Sequence, residues 1–234
     1  MQMIVSAHQP NYLPYLGFFD KMIQSDVFVI QDSFQFERHD FQNRNRIKTN
    51  NGVQWLTVPV EHCGRDTCMN EVSIAKLPGQ LWAKKHWNAL KYNYMKAPHW
   101  EEYSEVFEQA YQQNWTKLID LNMHLIKILM KLLKIETPLV MSSSLRASGQ
   151  KTERLLAQCK EIGASIYLSG IGGRSYLDVQ HMEEEGMKVI FQDFQHPVYP
   201  QLQGEFVPNL SVVDYLFCTG GRTWRTQNSI MKGR

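Results

Sequence analysis

His8-Gln9-Pro10-Asn11-Tyr12-Leu13-Pro14 crowds an imidazole, an amide and a phenol between prolines that restrict the backbone. His8 titrates near neutral pH and can act as an acid or base, while Asn11 can hold a phosphate and Tyr12 can stack on a ring. The plainer reading is a turn in which His8 and Asn11 only tie down backbone. Residues 31–48 supply a second set, with Gln35, Arg38, Asn43, Arg44, Asn45, Arg46 and Lys48 as donors and Asp32 as an acid. That density of amides and guanidiniums suits a polyhydroxylated or phosphorylated ligand, with Gln35, Arg44, Asn45 and Lys48 as candidate contacts. Phe34, Phe36 and Phe41 interleave with these groups and should anchor the loop to a core. In the Ser169–Ser175 run (SGIGGRS), Gly170, Gly172 and Gly173 would let backbone N–H groups approach an oxyanion, although neither a Walker A loop nor a good GxGxxG is present. The run QHPVYPQ at 195–201 carries His196, a second candidate acid or base, and Tyr199, a second ligand contact. His62, Cys63 and Cys68 lack a second ligand pair, so no metal site is expected.

The elements that would position these groups follow from apolar periodicity. Residues 3–7 (MIVSA) and 27–30 (VFVI) read as strands, and Leu13, Leu16, Phe19, Met22 and Ile23 between them share a helical face. Strand, helix and strand in so short a span make a βαβ unit and so a parallel sheet. The polar residues 31–52 read as irregular up to the turn Asn50-Asn51-Gly52, and 53–60 as a strand. Residues 80–135 read as three helices broken near Ala97-Pro98 and Asn114. A helix over 151–162 stops at Gly163, a suitable C-terminal cap, before a strand at 166–169, a helix at 175–185 and a strand at 189–194. Residues 210–217 read as a short amphipathic helix. The expectation is therefore one α/β domain over 1–234, a parallel Rossmann-like sheet with a mainly helical insertion at about 80–135. In such sheets ligands bind at the carboxyl ends of the strands, where all four loops would lie.

Composition narrows the function. The chain has 234 residues, 43% hydrophobic and 21% charged, enough to bury a core without staples. A formal charge of +2 excludes DNA binding driven by bulk charge. Four cysteines make no disulfide framework and point to a reducing compartment. The opening residues lack a basic leader, so the expected location is cytoplasmic. The most apolar stretch, 118–135, keeps one narrow polar stripe (Lys117, Asp120, His124, Lys127, Lys131, Lys134) and reads as a buried helix, with no membrane span. The basic tail (Arg222, Arg225, Lys232, Arg234) is expected to fray.

Taken together, HQPNYLPYLGFFDKM, NRNRIK with WLTVPV, the run Lys85-His86-Trp87, SGIGGRSYLD, HPVYPQ and LSVVDYLF resemble the WbqC-like proteins of bacteria over nearly the whole chain. Members occur in gene clusters for O-antigen and other surface polysaccharides, and the role proposed for some is transfer of an aminoacyl group, glycine in particular, to an amino sugar. The resemblance implies a transferase joining an amino acid to the amine of a nucleotide-linked amino sugar, with an aminoacyl donor as co-substrate. His8 or His196 would be the base, Asn11 with Gly170, Gly172 and Gly173 would hold phosphate or oxyanion, and Gln35, Arg44, Asn45 and Lys48 would grip sugar hydroxyls and diphosphate. A remoter resemblance, through DVFVI leading to Gln35-Phe36, is to the nucleotidyltransferase and pantothenate synthetase group. ATP and Mg²⁺ enter only through that likeness, and NYLP at 11–14 stands where its HxGH element would be. A non-catalytic nucleotide-sugar-binding protein is the alternative from another class.

Overall fold

The computed structural model describes residues 2–221 and Trp224; Arg222, Arg225, Lys232 and Arg234 of the basic tail lie outside them. In chain order, β1 (Ile4–His8), α1 (Leu16–Ile23) and β2 (Val27–Ile30) are followed by β3 (Arg44–Thr49) and β4 (Gly52–Thr57). Then come α2 (Leu81–Tyr94), α3 (Trp100–Gln112), α4 (Leu118–Leu132) and β5 (Leu139–Met141). The chain continues through α5 (Lys151–Ile162), β6 (Ile166–Ser169), α6 (Val179–Glu184), β7 (Lys188–Phe191) and α7 (Val212–Thr219).

Five strands form a parallel sheet in the order β5-β2-β1-β6-β7. β1 and β2 are short, apolar and buried on both faces, as inner strands of a parallel sheet must be. The alternation of side chains along β2 sends Phe28 and Ile30 into one core and Val29 into another. The larger core joins Leu16, Phe18 and Phe28 to Phe107, Leu125 and Phe217 of the helices. The smaller one, on the other side of the sheet, collects Val5, Leu155, Leu156, Tyr167 and Met182. Helices thus cover both faces, and the class is Rossmann-like α/β.

The helix breaks fall where Ala97-Pro98 and Asn114 place them, and Gly163 caps α5 at φ 83°, a backbone region open to glycine without a Cβ penalty. Helix α4 buries Leu118, Leu121, Leu125, Ile126 and Leu129, and no helix among the described residues is long and apolar enough to cross a membrane. The polar segment before Asn50 differs from its sequence reading. Its last six residues are β3, paired antiparallel with β4 in a separate ribbon. Asn45, Ile47 and Leu56 are buried, while Arg44 and Arg46 stack on the exposed Trp55. With one apolar residue among six, the period of two is carried by charge and escapes a hydrophobic pattern.

Candidate functional site

The strand order reverses at β1, which pairs with β2 on one side and β6 on the other. A crevice at the carboxyl ends of such a pair is the usual ligand position in this class of sheet. His8 ends β1, and Ser169 ends β6 before the glycine turn. His8 Nδ1 lies 2.9 Å from the Gln9 carbonyl. That oxygen only accepts, so Nδ1 carries the proton and Nε2 keeps the lone pair. Burial, reinforced by the nearby Lys21 charge, pushes the His8 pKa down to about 3, so the ring is neutral at physiological pH.

The neighbour that the sequence reading missed is Lys21. It is 3% exposed, and its Nζ donates to the Ala7 carbonyl at 2.9 Å. A Cβ added to Gly170 would stand 3.8 Å from that amine, so Lys21 reaches the junction of β1 and β6. None of the ion pairs among the described residues includes it, and burial lowers its pKa to about 7. A general base works best when its pKa lies near the operating pH, a condition Lys21 meets and His8 does not. The lysine escapes notice in sequence because α1 is buried on nearly every side from Leu16 to Met22. A charged residue in an otherwise amphipathic helix is normally assigned to solvent.

The glycine turn folds as a 3-10 helix over Ile171–Ser175, with the Gly173 N–H donating to the Gly170 carbonyl at 2.9 Å. Its glycines are not equivalent. A Cβ on Gly173 would fall 2.0 Å from Ser169 Oγ and 3.0 Å from Leu177 Cδ1, whereas one on Gly172 would meet nothing within 4 Å. Gly173→Ala should therefore lose about 1–3 kcal/mol in chemical denaturation, as overpacked sites do, while Gly172→Ala stays within about 0.5 kcal/mol. Equal effects would show that the turn is not set by this contact.

The other predicted residues divide by what their side chains already do. Asn11 is 4% exposed and its amide has no hydrogen-bond partner among the described residues. Tyr12 is wholly buried; its hydroxyl meets His86 Nδ1 at 2.8 Å and Tyr111 Oη. Asn45 donates to the Leu13 carbonyl at 2.7 Å and clamps the turn after β1. Gln35 is exposed, its carbonyl accepting from Gln9 Nε2. Lys48 turns inward, with Nζ 3.0 Å from Gln201 Oε1 and 2.5 Å from the Glu205 carbonyl. Tyr199 donates to Asp214 Oδ2 at 2.7 Å. His196 packs its ring among Phe194, Tyr199 and Phe206, with burial lowering its pKa, whereas the ring contact of His8 is with Phe18. Among the described residues no group of three His, Cys, Asp or Glu side chains is placed to hold a metal.

A parallel sheet reversing at β1, with a neutral histidine and a buried amine at that reversal, defines a Rossmann-like α/β protein with its candidate ligand crevice at the switch point. The chain belongs to the WbqC-like protein family, whose model matches residues 9–226. It is 38% identical over 218 residues to the "Uncharacterized protein Rv1507c" of Mycobacterium tuberculosis, covering 92% of this chain and 94% of that one. No solved structure matches it.

Proposed function

We propose that the protein is an acyl transferase that joins an amino acid, glycine or one of similar size, to the amine of a nucleotide-linked amino sugar in bacterial surface-polysaccharide synthesis. The observation that carries this reading is the Lys21 amine, buried without a carboxylate at the β1–β6 junction and held near neutral pKa. In the reaction a sugar amine attacks the carbonyl carbon of an aminoacyl donor. The new C–N bond forms, the bond to the donor's leaving group breaks, and the amine proton passes to Lys21 and on to the leaving group. Above about pH 7 Lys21 is free to take that proton. His8 Nε2, an acceptor but a weak base, orients an N–H of the attacking amine. The unpartnered Asn11 amide and the glycine turn offer dipoles to the oxyanion or a phosphate.

The test supplies nucleotide-linked amino sugars with an aminoacyl adenylate, an aminoacyl thioester or aminoacyl-tRNA, and reads the product by mass. A gain of one aminoacyl residue on the sugar is the expected result. Saturable sugar-nucleotide binding with no product from any donor would replace the enzyme by a binding protein.

A further inference from the structure

Arg44 and Lys48, paired as diphosphate ligands in the sequence reading, occupy different surroundings. Lys48 is spent in the core, whereas Arg44 lines a surface cavity of about 390 Å³ together with Phe36, Arg38, Asn43, Glu61 and His62. Arg38 Nη2 donates to the Cys63 carbonyl at 2.9 Å and lies 3.5 Å from His62 Nδ1. Arg44 donates to the His39 carbonyl and stacks with its Cζ 4.4 Å from the Trp55 ring centroid. Arg46 approaches the same ring at 5.6 Å and donates to the Asn209 carbonyl at 3.1 Å. These contacts fix the planes of the guanidiniums without neutralising them. None of the ion pairs among the described residues includes Arg38, Arg44 or Arg46. The Nε atoms of Arg44 and Arg46 are buried without a hydrogen-bond partner. Glu61 is the one carboxylate lining the cavity, and it makes no ion pair with either arginine there.

We propose that this cavity is an anion site that takes the phosphoryl or diphosphoryl group of an organic phosphate, with Arg38 and Arg44 as its forks. Two planar guanidiniums already oriented by carbonyl and indole contacts lose little freedom in binding a tetrahedral oxyanion. The volume lies at the low end of the ~300–1,000 Å³ range of small-molecule sites, which fits a diphosphate and part of its carrier. The proposal does not require acyl transfer, since neither His8 nor Lys21 lines this cavity.

Calorimetric titration of the full chain with pyrophosphate tests it, with inorganic phosphate and succinate as the other probes. Pyrophosphate should bind, more weakly as salt rises, and more tightly than succinate. Arg38→Gln and Arg44→Gln should each weaken it by about 10-fold or more, and Lys188→Gln, an exposed cation at the opposite, amino end of β7 that does not line the cavity, should leave it unchanged. Arg44→Lys, which keeps the charge and loses the fork, should still weaken it. Melting curves of the variants check that the fold is retained. The proposal is overturned if pyrophosphate fails to bind at millimolar concentration, or if succinate binds as tightly. It is equally overturned if the folded arginine variants bind like the parent, which would place the anion elsewhere, or if Lys188→Gln weakens the binding as much as they do, which would make it an effect of overall charge.

Discussion

Lys21→Met is expected to lower acyl transfer by at least about 10²-fold while leaving the protein, at pH 6, no less stable than the parent. Methionine matches the length and apolar stem of lysine and carries no charge to bury. At pH 6 the parent is below the Lys21 pKa of about 7, so it holds an ammonium in the core without a carboxylate partner. A depression from 10.5 to about 7 corresponds to several kcal/mol of disfavoured charge, at about 1.4 kcal/mol for each pH unit. Against that stands the lost hydrogen bond to the Ala7 carbonyl, about 1–3 kcal/mol. The folded pKa is depressed, so the unfolded chain binds the extra proton between pH 7 and 10.5. Parent stability therefore rises with pH through that window, and is lost as pH falls toward the folded pKa. The variant lacks this slope, and its advantage over the parent should shrink between melts at pH 6 and pH 9. Transfer by the parent should rise across about pH 7 as the amine loses its proton. A variant destabilised equally at both pH values that still transfers the acyl group would make Lys21 a structural residue.

How far the sequence reveals such a site depends on which interactions are local. The βαβ unit is legible because the apolar runs at 3–7 and 27–30 are short and bounded by polar turns. The breaks between α2, α3 and α4 are legible because Pro98 and Asn114 act on their own backbone. The loops after β1 and β6 follow from topology alone, since parallel neighbours end on the same side. Side-chain assignments within those loops depend on partners far along the chain. Tyr12 reads as a free phenol until His86 of α2 and Tyr111 of α3 close over its hydroxyl. Asn45 and Lys48 read as ligand donors until β3 turns them toward the Leu13 and Glu205 carbonyls. Lys21 carries no signal in the sequence, and its meeting with the Ala7 carbonyl beside β6 is made by the packing of α1 on the sheet. A donor's chemistry is visible in sequence, and whether the fold has already consumed it is not.

Asp214→Ala should be the most destabilising substitution outside the apolar core, at about 3–5 kcal/mol. The carboxylate lies in the first turn of α7, is wholly buried, and gathers donors from other segments. Tyr94 of α2 donates to Oδ1 at 2.8 Å, and Tyr199 and Gln201 donate to Oδ2 at 2.7 and 2.9 Å. The same Tyr94 oxygen accepts the Lys48 N–H from β3 at 3.0 Å, and Gln201 Oε1 accepts from Lys48 Nζ at 3.0 Å and from the Val207 N–H at 2.9 Å. Burial raises the Asp214 pKa, while the three donors and the Lys48 charge act in the opposite direction. Alanine removes both oxygens at once and strands the Tyr94 and Tyr199 hydroxyl protons in the interior, while the Gln201 amide keeps the Val207 carbonyl at 2.9 Å; stranding buried donors costs more than the net worth of the bonds themselves. Against a typical stability of about 5–15 kcal/mol, such a loss is a large share of the whole. Asp214→Asn keeps one acceptor, and the tyrosine hydroxyls can rotate to accept from its amide, so about 1–3 kcal/mol is expected. Urea midpoints for the two variants, with Lys48→Met in a double-mutant cycle, measure the network, and a coupling of about 0.5–3 kcal/mol between Lys48 and Asp214 is expected. If alanine costs less than about 1 kcal/mol and the cycle shows no coupling, Lys48 is not needed by the fold and returns to the ligand role that its place in the sequence suggests.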